Sequence, residues 1–200
     1  MVGVQKLLFI CTFNVCRSPL AFALTEFHAG LPSTSLAITT AGTQASGDQF
    51  GGVPACKTTM ETLHHGFPEL DVAQDLLSHQ SSQITVPVIE DADIILVMER
   101  QQRSQVVRML PSAQRKTFLL TQAARLSTWI LQQEDLVIDG KTSLVDLLDN
   151  ARGLAPYEDD LDVEDPHRTG GPSHSSMIAE VDAATHSIAL LIRELAHPRP

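Results

Sequence analysis

The chain has 200 residues, 43% of them hydrophobic, and carries a formal net charge of −10 at pH 7. This length and composition predict a single globular domain over residues 1–200 and exclude a disordered chain. The negative charge argues against nucleic acid and anionic membrane surfaces as main partners.

Targeting and redox signals favour the cytoplasm. No apolar run reaches the length of a membrane span, and the start MVGVQKLLFI lacks the basic residues and cleavage site of a signal peptide. Three cysteines are too few for a disulfide framework and are expected to be thiols in a reducing compartment.

Hydrophobic runs and helix punctuation predict alternating strands and helices along the chain. Ser18 is interpreted as a helix N-cap and Pro19 as the first helical residue, with a stop at Gly30. The predicted strands are residues 7–10, 36–40, 92–98 and 116–120, and the remaining predicted helices are 54–65, 100–110, two stretches within 121–153, and 173–197. This alternation predicts a three-layer α/β fold around a four-stranded parallel sheet.

Chemistry-bearing residues concentrate where the first predicted strand meets the first helix. Cys11 ends the strand and Arg17 follows six positions later, so the C-x5-R segment is expected to curl around an anion at the helix N-terminus. The arginine fork matches two phosphate oxygens, and the same positive surroundings favour a thiolate at Cys11. The Ser18 hydroxyl can donate to that sulfur while it caps the helix. The segment therefore predicts a phosphate loop with a nucleophilic cysteine.

This stretch resembles the signature C-x-G-N-x-C-R-S-P of the low-molecular-weight protein tyrosine phosphatases. It stands here as Cys11-Thr12-Phe13-Asn14-Val15-Cys16-Arg17-Ser18-Pro19. Further stretches resemble family segments in the same order, namely TTAGT (39–43), SHQSSQI (78–84), ADIILVMER (92–100) and VEDPH (163–167). The resemblance implies a flavodoxin-like fold, with residues of about 121–158 forming an extended helical insertion similar to that of actinobacterial relatives.

The resemblance implies a phosphatase that hydrolyses phosphotyrosine on proteins through a phosphocysteine, without metal or cofactor. Cys11 would attack phosphorus while Arg17 and the loop residues hold the phosphate oxygens. The loop residues implied are Thr12, Phe13, Asn14, Val15, Cys16 and Ser18.

Asp165 is the expected general acid. Six of the eight residues 158–165 are acidic, and such crowding raises carboxyl pKa values, as an acid working near neutral pH requires. Only Asp165 is followed by proline, and it matches the family's Asp-Pro loop; Asp162 is the substitute candidate. The plainer interpretation of the segment is a solvated acidic loop.

The resemblance also assigns supporting residues. His79 is expected to hydrogen-bond Asn14, the alternative being a surface histidine at a helix end. Cys16 either traps oxidised Cys11 as a disulfide or packs as a small residue beneath the loop. Cys56 is assigned to the core, and no metal site is indicated by the spacing of the other histidines, His64, His65, His174 and His186.

Departures from the family pattern bear on the substrate. Phe13 replaces a glycine and His167 stands where many members have tyrosine; Phe13, Phe50 and His167 are expected to form the slot for the substrate's ring. Arginine phosphatases of the family carry threonine at the position of Val15, which disfavours that activity. The alternatives are a thiol-coupled arsenate reductase and a non-catalytic phosphate- or phosphoprotein-binding relative. The expected partner is a phosphotyrosine protein, with a bacterial tyrosine kinase or its substrate as the family-level interpretation.

Overall fold

A computed structural model describes residues 5–30, 36–45, 51–70, 72, 76–133, 142–156, 159 and 161–196. Its strands are β1 (Gln5–Cys11), β2 (Leu36–Gly42), β3 (Ile94–Val97) and β4 (Thr117–Leu119). They form one four-stranded parallel sheet, as predicted, and the structure gives its order as β2-β1-β3-β4.

Helices cover both faces of this sheet, and its central strands β1 and β3 are buried on both sides where they pair, as is typical of parallel sheets. In chain order they are α1 (Arg17–Ala29), α2 (Lys57–Gly66), α3 (Val86–Asp91), α4 (Arg100–Met109), a 3₁₀ helix (Pro111–Lys116), α5 (Leu120–Leu131), α6 (Leu144–Leu154) and α7 (His174–Ala196). Leu7 and Phe9 face a core shared with α1, α2, α5, α6 and α7. Leu8 and Ile10 face a smaller core with α3 and α4. The three-layer α/β fold is confirmed.

Three local predictions differ from the structure. Helix α1 begins at Arg17 with Cys16 as its N-cap, so the prediction that Ser18 caps the helix is wrong. The hydroxyl of Ser18 lies instead beside Cys11 and Asn14. Helix α3 was not predicted, because six residues with one buried side chain, Ile89, show no helical period. Helix α2 begins three residues later than predicted, at Lys57.

Two helices, α5 and α6, lie in the segment interpreted as an insertion. Residues 134–141, between these two helices, lie outside the described residues, and the single-domain assignment stays a prediction. Within the described part of the chain, no helix combines the length and apolar character that crossing a bilayer requires.

The sheet order places the loop after β1 at a switch point, because β2 lies on one side of β1 and β3 on the other. Ligands of open parallel sheets bind outside the carboxyl ends of the strands at such a point. The fold thus presents residues 12–16 where a ligand would be expected.

Candidate active site

Cys11 is the last residue of β1, and residues 12–16 form the loop that leads from it to α1. Its Sγ is 3.0 Å from the Ser18 Oγ and accepts a hydrogen bond from the Asn14 backbone N–H at 3.2 Å. Cys11 is only 2% exposed. The sulfur is therefore held by the loop and the first turn of α1 together.

Asn14 organises the loop from inside. Its φ of 57° is left-handed, a conformation that asparagine tolerates better than most residues. Its side chain donates to the Ser18 Oγ at 2.9 Å and accepts from the Ser82 backbone N–H at 2.9 Å. Its carbonyl accepts from the His79 Nε2 at 2.7 Å, so the expected contact between His79 and Asn14 is present. Burial lowers the pKa of His79, partly opposed by that hydrogen bond, and favours the neutral ring.

The end of β2 supports the loop from the side. The backbone N–H groups of Thr43 and Gln44 donate to the carbonyls of Cys11 and Thr12 at 3.0 and 2.7 Å. A Cβ on Gly42 would lie 2.8 Å from the Thr12 carbonyl oxygen and 2.9 Å from the Asn14 nitrogen. Only glycine allows this close approach of the two backbones.

Arg17 is 1% exposed and is the largest fully buried side chain in the described structure. Its Nη1 pairs with Glu99 and donates to the Val163 carbonyl at 2.8 Å. Its Nη2 is 2.7 Å from the Asp165 Oδ2 and 3.3 Å from the Thr12 Oγ1. Burial lowers the pKa of Arg17, but the charges of Cys11, Asp165 and Glu99 outweigh that effect and raise it.

The Nε of Arg17 is buried, and none of the described residues accepts its hydrogen bond. A buried donor without an acceptor costs roughly 1–3 kcal/mol or more, so such groups usually serve a ligand. The Nε–H and Nη2–H edge has the spacing that binds two oxygens of a phosphate.

The carboxylates of the acidic stretch contact two different arginines, Arg17 and Arg100. Asp165 contacts Arg17, and its Oδ1 accepts from the His167 backbone N–H at 2.9 Å. Asp162 accepts from the Arg100 backbone N–H at 3.0 Å, and Asp159 lies 2.9 Å from the Arg100 Nη2. Of the two candidate acids, Asp165 is thus the one bound to Arg17, while Asp162 faces Arg100; Glu158 and Asp160 lie outside the described residues.

Glu99 is a site residue that the sequence analysis missed. Its carboxylate pairs with the buried Arg17 and lies 3.2 Å from the Arg168 Nη2. Its position directly after a strand that neighbours β1 was an available signal, because strand ends of a parallel sheet share one edge.

Cys16 and Cys56 contact groups away from the catalytic loop. Cys16 Sγ lies 3.1 Å from the Thr59 Oγ1, and Cys56 Sγ lies 3.3 Å from the His167 Nε2 and 3.7 Å from the His174 Nε2. The contact with Cys56, together with burial, raises the pKa of Cys16, and the same contact lowers the pKa of Cys56. Cys56 belongs to the core as predicted, but its contact with two histidines was not foreseen.

The substrate slot is only partly described. The Phe13 side chain is partly exposed, and Phe50 lies outside the described residues. The exposed His167 meets His174 edge to face, with ring centroids 4.8 Å apart. Of the other loop residues, Thr12 also accepts from the Gln102 Nε2 at 3.3 Å, and the Val15 carbonyl accepts from the Cys56 N–H at 2.7 Å.

Known proteins share this architecture. The family model of low molecular weight phosphotyrosine protein phosphatases matches residues 6–135. The probable low molecular weight protein-tyrosine-phosphatase AmsI of Erwinia amylovora is 32% identical over 131 residues, which are 66% of this chain and 77% of AmsI. A protein-arginine-phosphatase of Bacillus subtilis is 31% identical over 116 residues, which are 58% of this chain and 70% of that protein.

Among solved structures, the YwlE arginine phosphatase from Geobacillus stearothermophilus superposes with a TM-score of 0.64 and 25% identity. The match covers 98% of this chain and 99% of that structure. The predicted family is confirmed: the chain belongs to the low molecular weight phosphotyrosine protein phosphatases and is a cysteine-dependent phosphatase.

Proposed function

We propose that this phosphatase hydrolyses phosphotyrosine on proteins, with Cys11 as nucleophile, Arg17 as the phosphate ligand and Asp165 as general acid. The observation that carries the proposal is the buried, unpartnered Nε of Arg17 beside a loop that surrounds the Cys11 sulfur.

The substrate phosphate first displaces the Asp165 carboxylate from the Arg17 Nη2. Its oxygens then bind the Nε–H and Nη2–H donors and the backbone N–H groups of residues 12–17. The displaced carboxyl remains at the mouth of the loop, because its Oδ1 is held by the His167 N–H within the same turn. This places Asp165 beside the leaving oxygen.

In the first step the Cys11 sulfur attacks phosphorus, the S–P bond forms, and the bond to the phenolic oxygen breaks. Asp165, which takes up a proton from solvent once it is displaced from Arg17, gives that proton to the phenolic oxygen. In the second step a water attacks phosphorus, the S–P bond breaks, and Asp165 takes the proton from the water. The charge developing on the equatorial oxygens is stabilised by Arg17 and the loop amides in both steps.

Two of the relatives act on phosphoarginine by name, so the leaving group needs its own test. We favour phosphotyrosine because Val15 offers no hydroxyl where the resemblance places a threonine in arginine phosphatases. Phe13, Phe50 and His167 are proposed to contact the tyrosine ring. A phosphotyrosine protein is the proposed partner, with a bacterial tyrosine kinase or its substrate as the specific candidate.

Turnover of p-nitrophenyl phosphate, a phosphotyrosine peptide and phosphoarginine by wild type and variants tests the proposal. Cys11→Ser is expected to abolish turnover, and Asp165→Asn to lower kcat by roughly 10²- to 10⁴-fold. Asp162→Asn is the matched control and is expected to keep the wild-type rate, because Asp162 faces Arg100.

Four outcomes contradict the proposal, the last of them only in part. An Asp165→Asn variant with the wild-type rate and pH profile removes Asp165 as the acid. Thiol-dependent loss of arsenate without phosphatase turnover identifies an arsenate reductase. Phosphate binding without either activity identifies a non-catalytic binding protein, and a preference for phosphoarginine overturns the substrate class alone.

A further inference from the structure

A second cluster of reactive side chains lies next to the phosphate loop and takes no part in the two phosphoryl-transfer steps above, although His167 is also a proposed contact of the tyrosine ring. The thiol sulfurs of Cys16 and Cys56 and one ring nitrogen each of His167 and His174 all lie within 4.8 Å of one another. The four residues come from different segments, namely the loop before α1, the N-cap of α2, the turn after Asp165 and the start of α7.

We propose that Cys16, Cys56, His167 and His174 form a structural zinc site. Tetrahedral Cys2His2 sets are typical zinc ligands, with Zn–S near about 2.3 Å and Zn–N near about 2.0 Å. A tetrahedron with those bonds separates sulfur from nitrogen by roughly 3.6 Å. The Cys56 sulfur already lies 3.3 and 3.7 Å from the two Nε2 atoms, so the ligands need little movement to close on an ion.

The charge balance and the surroundings of the two sulfurs also suit zinc. A zinc ion with two thiolates is neutral overall, which satisfies the requirement that a buried charge be compensated. Cys56 occupies the N-cap of α2, where the helix dipole favours its thiolate. Cys16 Sγ meets the Thr59 Oγ1, a hydroxyl that can donate to a metal-bound sulfur. These features stand on geometry and composition, independently of the phosphatase mechanism.

The solvent exposure of the four side chains suits a metal site. The two cysteines are buried at 7% exposure each, whereas His174 is partly exposed and His167 is exposed. The ion would enter from the histidine side and be retained by the cysteines. All four positions are filled by protein, which is the pattern of structural rather than catalytic zinc.

The proposed zinc site would link the phosphate loop to the turn that carries Asp165. Cys16 directly precedes Arg17, and His167 lies two residues after Asp165, whose Oδ1 accepts its backbone N–H. A zinc ion between them would fix the turn that carries Asp165 against the phosphate loop. Its removal would loosen that turn without removing any group that contacts the phosphate.

The test uses the full chain, reduced and freed of metal, with Co²⁺ and Zn²⁺ as probes. Wild type is expected to bind one Co²⁺ with thiolate charge-transfer bands and the visible bands of tetrahedral geometry, and one Zn²⁺ that displaces it. A hundredfold excess of Zn²⁺ over its Kd should raise the melting midpoint by roughly 5 °C. Cys56→Ser and His174→Ala are expected to lose the bands and the Zn²⁺-dependent rise.

Two controls separate this cluster from other thiols and histidines. Cys11→Ser removes the catalytic thiol and is expected to bind one Co²⁺ with unchanged spectra. His186→Ala removes a histidine from α7 outside the cluster and is expected to bind as wild type does.

The proposal is overturned if wild type with three titratable thiols shows no thiolate–cobalt bands. It is equally overturned if binding is lost in Cys11→Ser but kept in Cys56→Ser, which would move the metal to the phosphate loop. His174→Ala protects the test against misfolding, because its side chain is partly exposed and its removal leaves both cysteines in place. None of these measurements depends on phosphatase turnover.

Discussion

Around Cys11, the directions of the hydrogen bonds follow from the side chain of Asn14. An amide nitrogen can only donate, so the Ser18 Oγ accepts from the Asn14 Nδ2. The hydroxyl hydrogen of Ser18 is thereby left for the Cys11 sulfur, which also receives the Asn14 backbone N–H. Two donors at one sulfur stabilise a negative charge on it. The same constraint explains why Ser18 does not cap α1.

His79 gives this loop a pH-dependent support. Its folded pKa is lowered, mainly by burial, relative to the ordinary value of about 6.5. The unfolded chain therefore takes up a proton at this residue before the folded chain does, as the pH falls. The stabilisation from neutral His79 is complete above about pH 6.5 and is lost as the pH falls toward the folded pKa.

We expect His79→Gln to weaken the acid dependence of stability. Glutamine can still donate to the Asn14 carbonyl but does not titrate, so the fall in melting midpoint between pH 7.5 and 5.5 should be smaller than in wild type. Thermal unfolding across that pH range measures the effect. His65→Gln, on the exposed end of α2, should keep the wild-type slope, and a His79→Gln slope equal to wild type would contradict the argument.

At the scale of elements, the end of β2 and the phosphate loop are in backbone contact. Gly42 allows this contact, because its added Cβ would meet the Thr12 carbonyl oxygen and the Asn14 nitrogen at distances no side chain adopts. Those atoms belong to the loop whose N–H groups are proposed to hold the substrate phosphate. A change at β2 therefore acts on the site through the position of the loop.

Gly42→Ala is expected to lower kcat/KM by roughly hundredfold, the effect of a displacement of about 1 Å in a catalytic group. Steady-state kinetics and vanadate affinity measure the change. Gly153→Ala is the matched control, because that glycine lies inside α6 with nothing within 4 Å of its added Cβ. It should keep full activity and gain up to about 1 kcal/mol of stability. Equal kinetics in both variants would show that the loop tolerates the displacement.

At the scale of the whole molecule, sequence patterns predicted features formed by neighbouring residues and the repeated alternation of strands and helices. The strand, loop and helix that hold Cys11 and Arg17 are contiguous, and alternating strands and helices indicated the sheet. Contacts between segments that are far apart in the sequence were harder to predict. The pairing of Glu99 with Arg17 was indicated only by the position of Glu99 at the end of a strand. The meeting of Cys56 with His167 and His174 depends on how α2 and α7 pack, and no spacing in the sequence indicates it.

Helix α7 lies beyond the region matched by the family model and packs into the main hydrophobic core. That match ends at residue 135, yet α7 packs mainly against α1 and α5. Its buried face continues the main hydrophobic cluster. The residues after 135 are therefore structural partners of the catalytic helix.

Substitutions at Leu190 and Leu191 test whether α7 stabilises the protein through its buried face, because the two leucines differ in burial. Leu191 is 0% exposed and Leu190 is 40% exposed on the same helix. Leu191→Ala should lower the free energy of unfolding by about 2–5 kcal/mol, through lost burial and the cavity left behind, and Leu190→Ala by less than about 1 kcal/mol. Urea unfolding measures both, and kcat of the folded Leu191→Ala protein should match wild type, because Leu191 lies about 25 Å along α7 from His174, the end of the helix that meets His167. Equal unfolding free energies for the two variants would show that α7 is not part of the core on which α1 rests.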